Sequence, residues 1–270
     1  MENYWEDVTP EKAQEYLSRN ASGRPITSST VSMYARDMTA GCWHVTHQGI
    51  AFDEDGYLID GQHRLSAVVL SGKTVRYLVT RGLSRDVFPS LDLVDPRTSA
   101  DWFHSVGEKH ASQLAAVARR AFFWKAGRPW SKRPSPSHAE IAKTYAEHPR
   151  LAEAASFARG WPARRTLAPA LAGFCWWLFS DCDEGEAAYF MESLRTGENL
   201  QEGSPILALR ERLAADRARG DRARYARGYQ RQEISQLLAI DAWNHYRKRH
   251  KLTKLQLPSE VSDESFPRPI

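Results

Sequence analysis

Apolar positions change their spacing near residue 99. Before it, helical and alternating patterns are mixed. Val31, Tyr34, Ala35 and Met38 recur at helical intervals, an apolar stripe on one helix face, and Leu65, Ala67, Val68, Val69 and Leu70 suggest a further helix. Residues 45–51 and 57–59 read as two strands joined by the turn Asp53-Glu54-Asp55-Gly56. An earlier helix is predicted over 10–19, because Thr9-Pro10-Glu11 places proline in the first turn and an acid at the positive end of the helix dipole. The helix carrying Val31 should stop at Gly41 and the one carrying Leu65 at Ser71-Gly72. A strand over 75–80, a short helix over 83–90 and a last strand or extended segment over 91–94 complete this half.

From residue 99 onward the pattern is helical only. Helices are predicted over 110–126, 137–148, 150–159, 166–181, 185–195, 204–218 and 231–250. Ser137 with Glu140 three residues later forms a capping box. Leu167 to Phe179 is the longest greasy run. Within it Phe174, Trp176, Trp177, Leu178 and Phe179 read as core. No internal repeat is present. The expected architecture is α+β: a small mixed sheet with helices over 1–105, then an all-α domain over 106–257. The segment 258–270, with three prolines and several acids, is expected to be a disordered tail.

Composition narrows the classes. With 270 residues and 42% apolar content the chain can fill a core, and 26% charged residues do not describe a low-complexity disordered chain. Three cysteines (Cys42, Cys175, Cys182) make no disulfide framework. No run approaches the roughly 20 apolar residues of a membrane span, and the opening MENYWEDVTP contains no apolar leader core. A cytoplasmic protein without membrane partners is expected. The net charge is +4 and the pI near 9.0. Of the 37 cations 28 are arginine, whose flat fork suits phosphate and stacking better than the lysine point charge does.

The densest chemistry is Asp60-Gly61-Gln62-His63-Arg64, between a strand and a helix. A helix starting near Gln62 directs unpaired N–H groups and its dipole at an anion. Gly61 permits close backbone approach. Arg64 can fork onto phosphate oxygens, and His63 can donate to phosphate or move a proton. Asp60 can hold a divalent cation or accept a proton from a nucleophile. A turn with a solvated His and Arg would carry the same letters, so residue types alone leave both readings open.

Leu58 to Ala67, LIDGQHRLSA, resembles the DGQHR motif of the ParB/sulfiredoxin superfamily. Arg24-Pro25-Ile26, then Val31, Tyr34 and Met38, then Gly41-Cys42-Trp43 resemble the helix before the first hairpin of such proteins. Asp92 to Asp101 looks like the segment after the core in phage and actinobacterial members. The likeness covers roughly residues 20–105. It implies a small α+β fold holding nucleotide phosphates, with Gly61 and Arg64 at phosphate-binding positions, His63 beside that Arg, and Asp60 as metal ligand or base. Gln62 stands where sulfiredoxins carry their catalytic Cys, so sulfinic-acid reduction is not expected. The Gly-Glu-Arg-Arg box of partition proteins is also unmatched.

Other candidates are Arg97, reaching the site from the loop after the core, and Thr46 with Gln48, lining the nucleotide pocket. Cys42, His44 and His47 have near metal-ligand spacing. A basic run between Lys109 and Ala139 contains no acid: Lys109, Arg119, Arg120, Lys125, Arg128, Lys132 and Arg133, with Trp124 and Trp130 interleaved. That mixture fits nucleic acid. Residues 210–231 hold eight arginines among three acids, and 245–254 five further cations. The expectation is an NTP-hydrolysing or phosphate-transferring protein using Mg²⁺ with ATP or CTP, acting with DNA. A nuclease, a kinase of a small hydroxyl compound or modified base, and a non-catalytic DNA-binding regulator remain as alternatives. A second copy of the chain, making a homodimer, is a further candidate partner.

Overall fold

The shift in spacing near residue 99 marks a division of the chain: residues 1–97 with 134–140 form one unit, and 98–133 with 141–270 the other. The computed structural model describes residues 1–20, 25–84, 98–162, 166–218 and 231–270. Arg97, the segment expected over 91–94, most of the helix expected over 83–90 and the arginines at 219, 222, 224 and 227 lie outside them.

The first unit runs β1 (Glu2–Val8), α1 (Pro10–Ser18), α2 (Ser28–Thr39), β2 (Ile50–Asp53), β3 (Leu58–Asp60), α3 (Gln62–Ser71) and β4 (Val75–Leu83). Its four strands form a mixed sheet in the order β1-β4-β2-β3. β4 is antiparallel to β1 and parallel to β2, and β2 is antiparallel to β3. Tyr77 and Val79 of β4 share a buried cluster with Tyr16 of α1, Val31 and Met38 of α2 and Leu65 and Val68 of α3. α3 packs against both α1 and α2. Thr9 caps α1 by accepting the Lys12 N–H at 3.2 Å.

Two expectations for this unit change. β1 was not anticipated, because ENYWEDV is polar and aromatic and only Val8 is buried. Pairing makes it a strand: Glu2 lies opposite Arg81 and Asp7 opposite Arg76, and opposite charges across a ladder are favourable. The strand expected over 45–51 begins only at Ile50. His44 to Gln48 are exposed coil, with no neighbouring strand to take their backbone groups.

The second unit consists of α4 (Ser99–Ser105), α5 (Ala111–Lys125), α6 (His138–Glu147, whose first residues group with the sheet unit), α7 (Leu151–Gly160), α8 (Pro169–Ser180), α9 (Glu184–Thr196), α10 (Pro205–Ala218) and α11 (Arg231–Arg247). α8 is buried nearly all round and touches α5, α7, α9 and α11. Phe179 stacks on Trp243 at 4.5 Å, and Phe190 meets the same indole edge-on at 5.4 Å. The capping box at Ser137 forms, with Glu140 N–H to Ser137 Oγ at 3.1 Å and Ser137 N–H to Glu140 Oε2 at 2.7 Å.

The boundary expected at residue 105 falls instead at 97/98. α4, unanticipated, belongs to the helical unit because Phe103 is fully buried in that core. The disordered tail is also corrected. Phe266 is 2% exposed, Asp263 accepts the N–H groups of Trp130 and Ser131, and the Trp243 indole donates to the Ile270 carbonyl at 3.0 Å. Among the described residues no helix is long and apolar enough to cross a membrane.

Candidate anion site and basic faces

The turn from β3 into α3 gathers the motif. Gly61 has φ +104°, and a Cβ there would stand 2.6 Å from Ile50 Cδ1 and 3.3 Å from Ile50 Cα. Only glycine fits both the dihedral and the space. The N-cap residue of α3 is Gly61, which has no side chain to cap it, and the first turn carries no acid, so no carboxylate within the helix offsets its positive end.

Arg64, one turn in, donates through Nη2 to Asp60 Oδ2 at 2.7 Å and through Nε to the Gly49 carbonyl at 3.1 Å. Asp60 Oδ1 accepts the Gly61 N–H at 2.6 Å. Both carboxylate oxygens are therefore engaged, and the guanidinium is braced from two sides. The Arg64 side chain is 14% exposed and that of Asp60 39%. His63 accepts the Thr27 N–H on Nε2 at 3.0 Å, so that nitrogen carries no proton in this arrangement. Gln62 is buried and accepts from the Asn20 side-chain amide at 2.9 Å. It ties the turn to the end of α1, so its side chain has a structural task and its backbone N–H faces the helix entrance.

The remaining candidates separate. Thr46 sits on the exposed coil before β2, its hydroxyl accepting the Gln48 N–H. Among the described residues no group of three or more His, Cys, Asp or Glu side chains is placed to hold a metal ion. Cys42, His44 and His47 are thus not gathered into a site, and Asp60 acts alone in its turn. Mg²⁺ takes one or two protein carboxylates and keeps several waters, but Asp60 would have to give up its Gly61 or Arg64 bond to take part.

Two residues of the site were not singled out beforehand. Gly49 supplies the carbonyl that braces Arg64. Tyr77 is 3% exposed, and its hydroxyl has no hydrogen-bond partner among the described residues. The alternation of β4 placed Tyr77 inward, but an inward hydroxyl does not declare its partner.

Six of the seven cations of the basic run divide by direction. Arg119, Lys125 and Arg133 are exposed, and Arg128 is half-buried. Arg120 instead reaches Gln232 and Gln236 of α11, and Lys132 pairs with the buried Glu233. Trp124, expected among stacking aromatics, packs edge-on to Phe174 and beneath Arg268. Further along, Arg247 and Arg249 are held by Asp183 and Glu186. Arg212 meets Asp216 and the Leu255 carbonyl, and Arg217 the Thr166 carbonyl. Much of the arginine excess thus binds the protein's own acids and carbonyls.

Burial, with Arg120 and Arg119 nearby, pushes the Lys132 amine down to about 8, against the pull of Glu233. Between that value and the ordinary lysine value of 10.5 the unfolded chain binds the extra proton. Stability should therefore rise with pH across this window, by of order 2 kcal/mol. Urea titrations of wild type and Lys132→Met compared at pH 8 and pH 10.5 check this: the variant should lack that rise.

No protein-family model, curated protein or solved structure matches the chain.

Proposed function

We propose that the sheet unit is a ParB/sulfiredoxin-like nucleotide-binding module that holds the phosphates of ATP or CTP at the 60–64 turn. The observation that carries this reading is the acid-free start of α3, entered through Gly61 at φ +104° with Arg64 braced one turn inside. Backbone N–H groups and a guanidinium then face the same anion. Asp60 would hold a nucleotide-borne Mg²⁺, which when bound neutralises phosphate charge. For hydrolysis or phosphate transfer, Asp60 would orient the attacking oxygen and Arg64 would stabilise charge on the transferred group. His63 would first exchange its Thr27 partner.

A second reading is favoured by one specific observation. Asp60 has both oxygens engaged and His63 has Nε2 engaged, so the turn as it stands presents phosphate donors but no unoccupied base. A nucleotide sensor that does not turn over its ligand fits this state. In either case the exposed Arg119, Lys125 and Arg133 of the helical unit, with the half-buried Arg128, would contact DNA phosphates, while Arg120 and Lys132 would serve the interior.

Calorimetry with ATP and CTP tests the pocket. Arg64→Ala should weaken binding at least tenfold, since a hydrogen bond to a charged group contributes about 1.5–3 kcal/mol. Binding equal in wild type and variant would sink the reading. A nucleotide turnover rate, with and without DNA, separates enzyme from sensor. For DNA, replacing Arg119, Lys125, Arg128 and Arg133 by alanine should flatten the slope of log affinity against log salt by up to about 3.6.

A further inference from the structure

We propose that the Tyr77 hydroxyl is a third anion-binding group of this site, donating to a phosphoryl oxygen held by Arg64 once Trp43 is displaced from beside it. The inference rests on the reading of the 60–64 turn as a phosphate site and adds a residue outside the motif.

Topology places Tyr77 there. β2 and β4 run parallel with Ile50 opposite Val79, so Tyr77 lies two residues nearer the end of the sheet where Gly49 accepts Arg64 Nε. β2 and β3 are antiparallel with Ala51 opposite Asp60, which brings the motif to that same end. Alternation turns Tyr77 to the face carrying α3, where it shares a buried cluster with Leu65 and Val68. Burial pushes the Tyr77 hydroxyl pKa up, and the charge of Arg64 pulls against it.

The hydroxyl is buried yet unpartnered among the described residues, and an unmade bond at a buried polar atom is destabilising. Phenylalanine would fill the same space without that cost. A buried donor at the same end of the sheet as the Arg64 brace and the start of α3 matches an anion that brings its own acceptor oxygens. Trp43, on the coil before β2, stands edge-on to Tyr77 at 6.4 Å and to Tyr34 at 5.0 Å. It is held by ring contacts on a segment without strand pairing, so it can swing aside without breaking the sheet.

The full chain, as Tyr77→Phe, Trp43→Ala, Arg64→Ala and wild type, is titrated by calorimetry with inorganic tripolyphosphate and with ATP, and melted without ligand. Tyr77→Phe should melt at or above the wild-type temperature. It should weaken both probes by the same factor, about 10- to 100-fold, because the contact is to phosphate and not to the base. Trp43→Ala should raise the association rate of tripolyphosphate. Unchanged affinity in Tyr77→Phe, with Arg64→Ala still weakening binding, overturns the role of Tyr77 and leaves the phosphate site standing. Unchanged affinity in both variants, or no binding by wild type, overturns the phosphate site and this inference with it. An unchanged association rate in Trp43→Ala overturns the part given to Trp43.

Discussion

Gly49→Ala should abolish folding of the sheet unit. A Cβ at this position would stand 1.8 Å from the Leu78 carbonyl oxygen and 2.8 Å from its carbon. Both are backbone atoms, so no side-chain rotation relieves the overlap. β2 would have to leave β4, breaking the parallel pairing in the middle of the four-stranded sheet. It would also pull away the carbonyl that braces Arg64. The cost should exceed about 4 kcal/mol, beyond the usual range of single substitutions and a large part of a domain's stability. Soluble yield and hydrogen exchange of β2 and β4 read the outcome, with Thr46→Ala on the neighbouring exposed coil as a near-neutral control. A soluble Gly49→Ala protein with protected β2 amides would show that the strands do not approach this closely.

Deleting residues 258–270 carries the second large effect, on the helical unit. The segment seals a core with Phe266, lies beneath the Trp243 indole through the Ile270 carbonyl, and sets Arg268 over Trp124 at 4.4 Å. Asp263 holds two backbone N–H groups of the loop at Trp130 and Ser131. Losing one buried phenylalanine costs about 3–5 kcal/mol, and stranding the indole N–H adds about 1–3 kcal/mol. The melting temperature should fall by on the order of 10 °C, at about 2–4 °C per kcal/mol for a unit of this size. Phe266→Ala should reproduce more than half of the fall. A truncated chain melting within about 2 °C of the full one would mean that the segment is an ornament to the core.

Helices were the most legible part of the chain, and the reason is local. Their signals lie within a few residues: Thr9-Pro10-Glu11 for α1, Ser137 with Glu140 for α6, Gly72 at φ +64° closing α3. Each satisfies backbone groups that the helix itself leaves open, so the signal needs no partner elsewhere. α4 escaped because two turns make little periodicity, although Thr98 and Asp101 form a capping box at its start. β1 had no such local sign. A polar edge strand is created by what it pairs with, and its partner β4 lies some seventy residues away.

The candidate site divides in the same manner. Sequence alone placed Asp60, Gly61, Gln62, His63 and Arg64 between a strand and a helix, and a helix start after a glycine has its electrostatics built in. It could not say that Arg64 would be braced by Gly49, that Thr27 would occupy His63, or that Tyr77 would bring a buried hydroxyl to the same end of the sheet. Those contacts join residues 15 to 36 positions apart or lie on different strands, and only strand order decides them.

Charge teaches the same lesson. Twenty-eight arginines among 37 cations were countable from the sequence, but a count carries no direction. Folding turned Arg120 and Lys132 inward to Gln236 and Glu233 and left Arg119, Lys125 and Arg133 outside. The sequence by itself determined where most helices begin and end and which stretch is core, and it set the 60–64 motif between a strand and a helix, because those follow from neighbours along the chain. Tertiary structure decided the sheet, the fate of 258–270 and which charges face solvent. Each of these depends on surfaces brought together from distant segments, and burial decides among them.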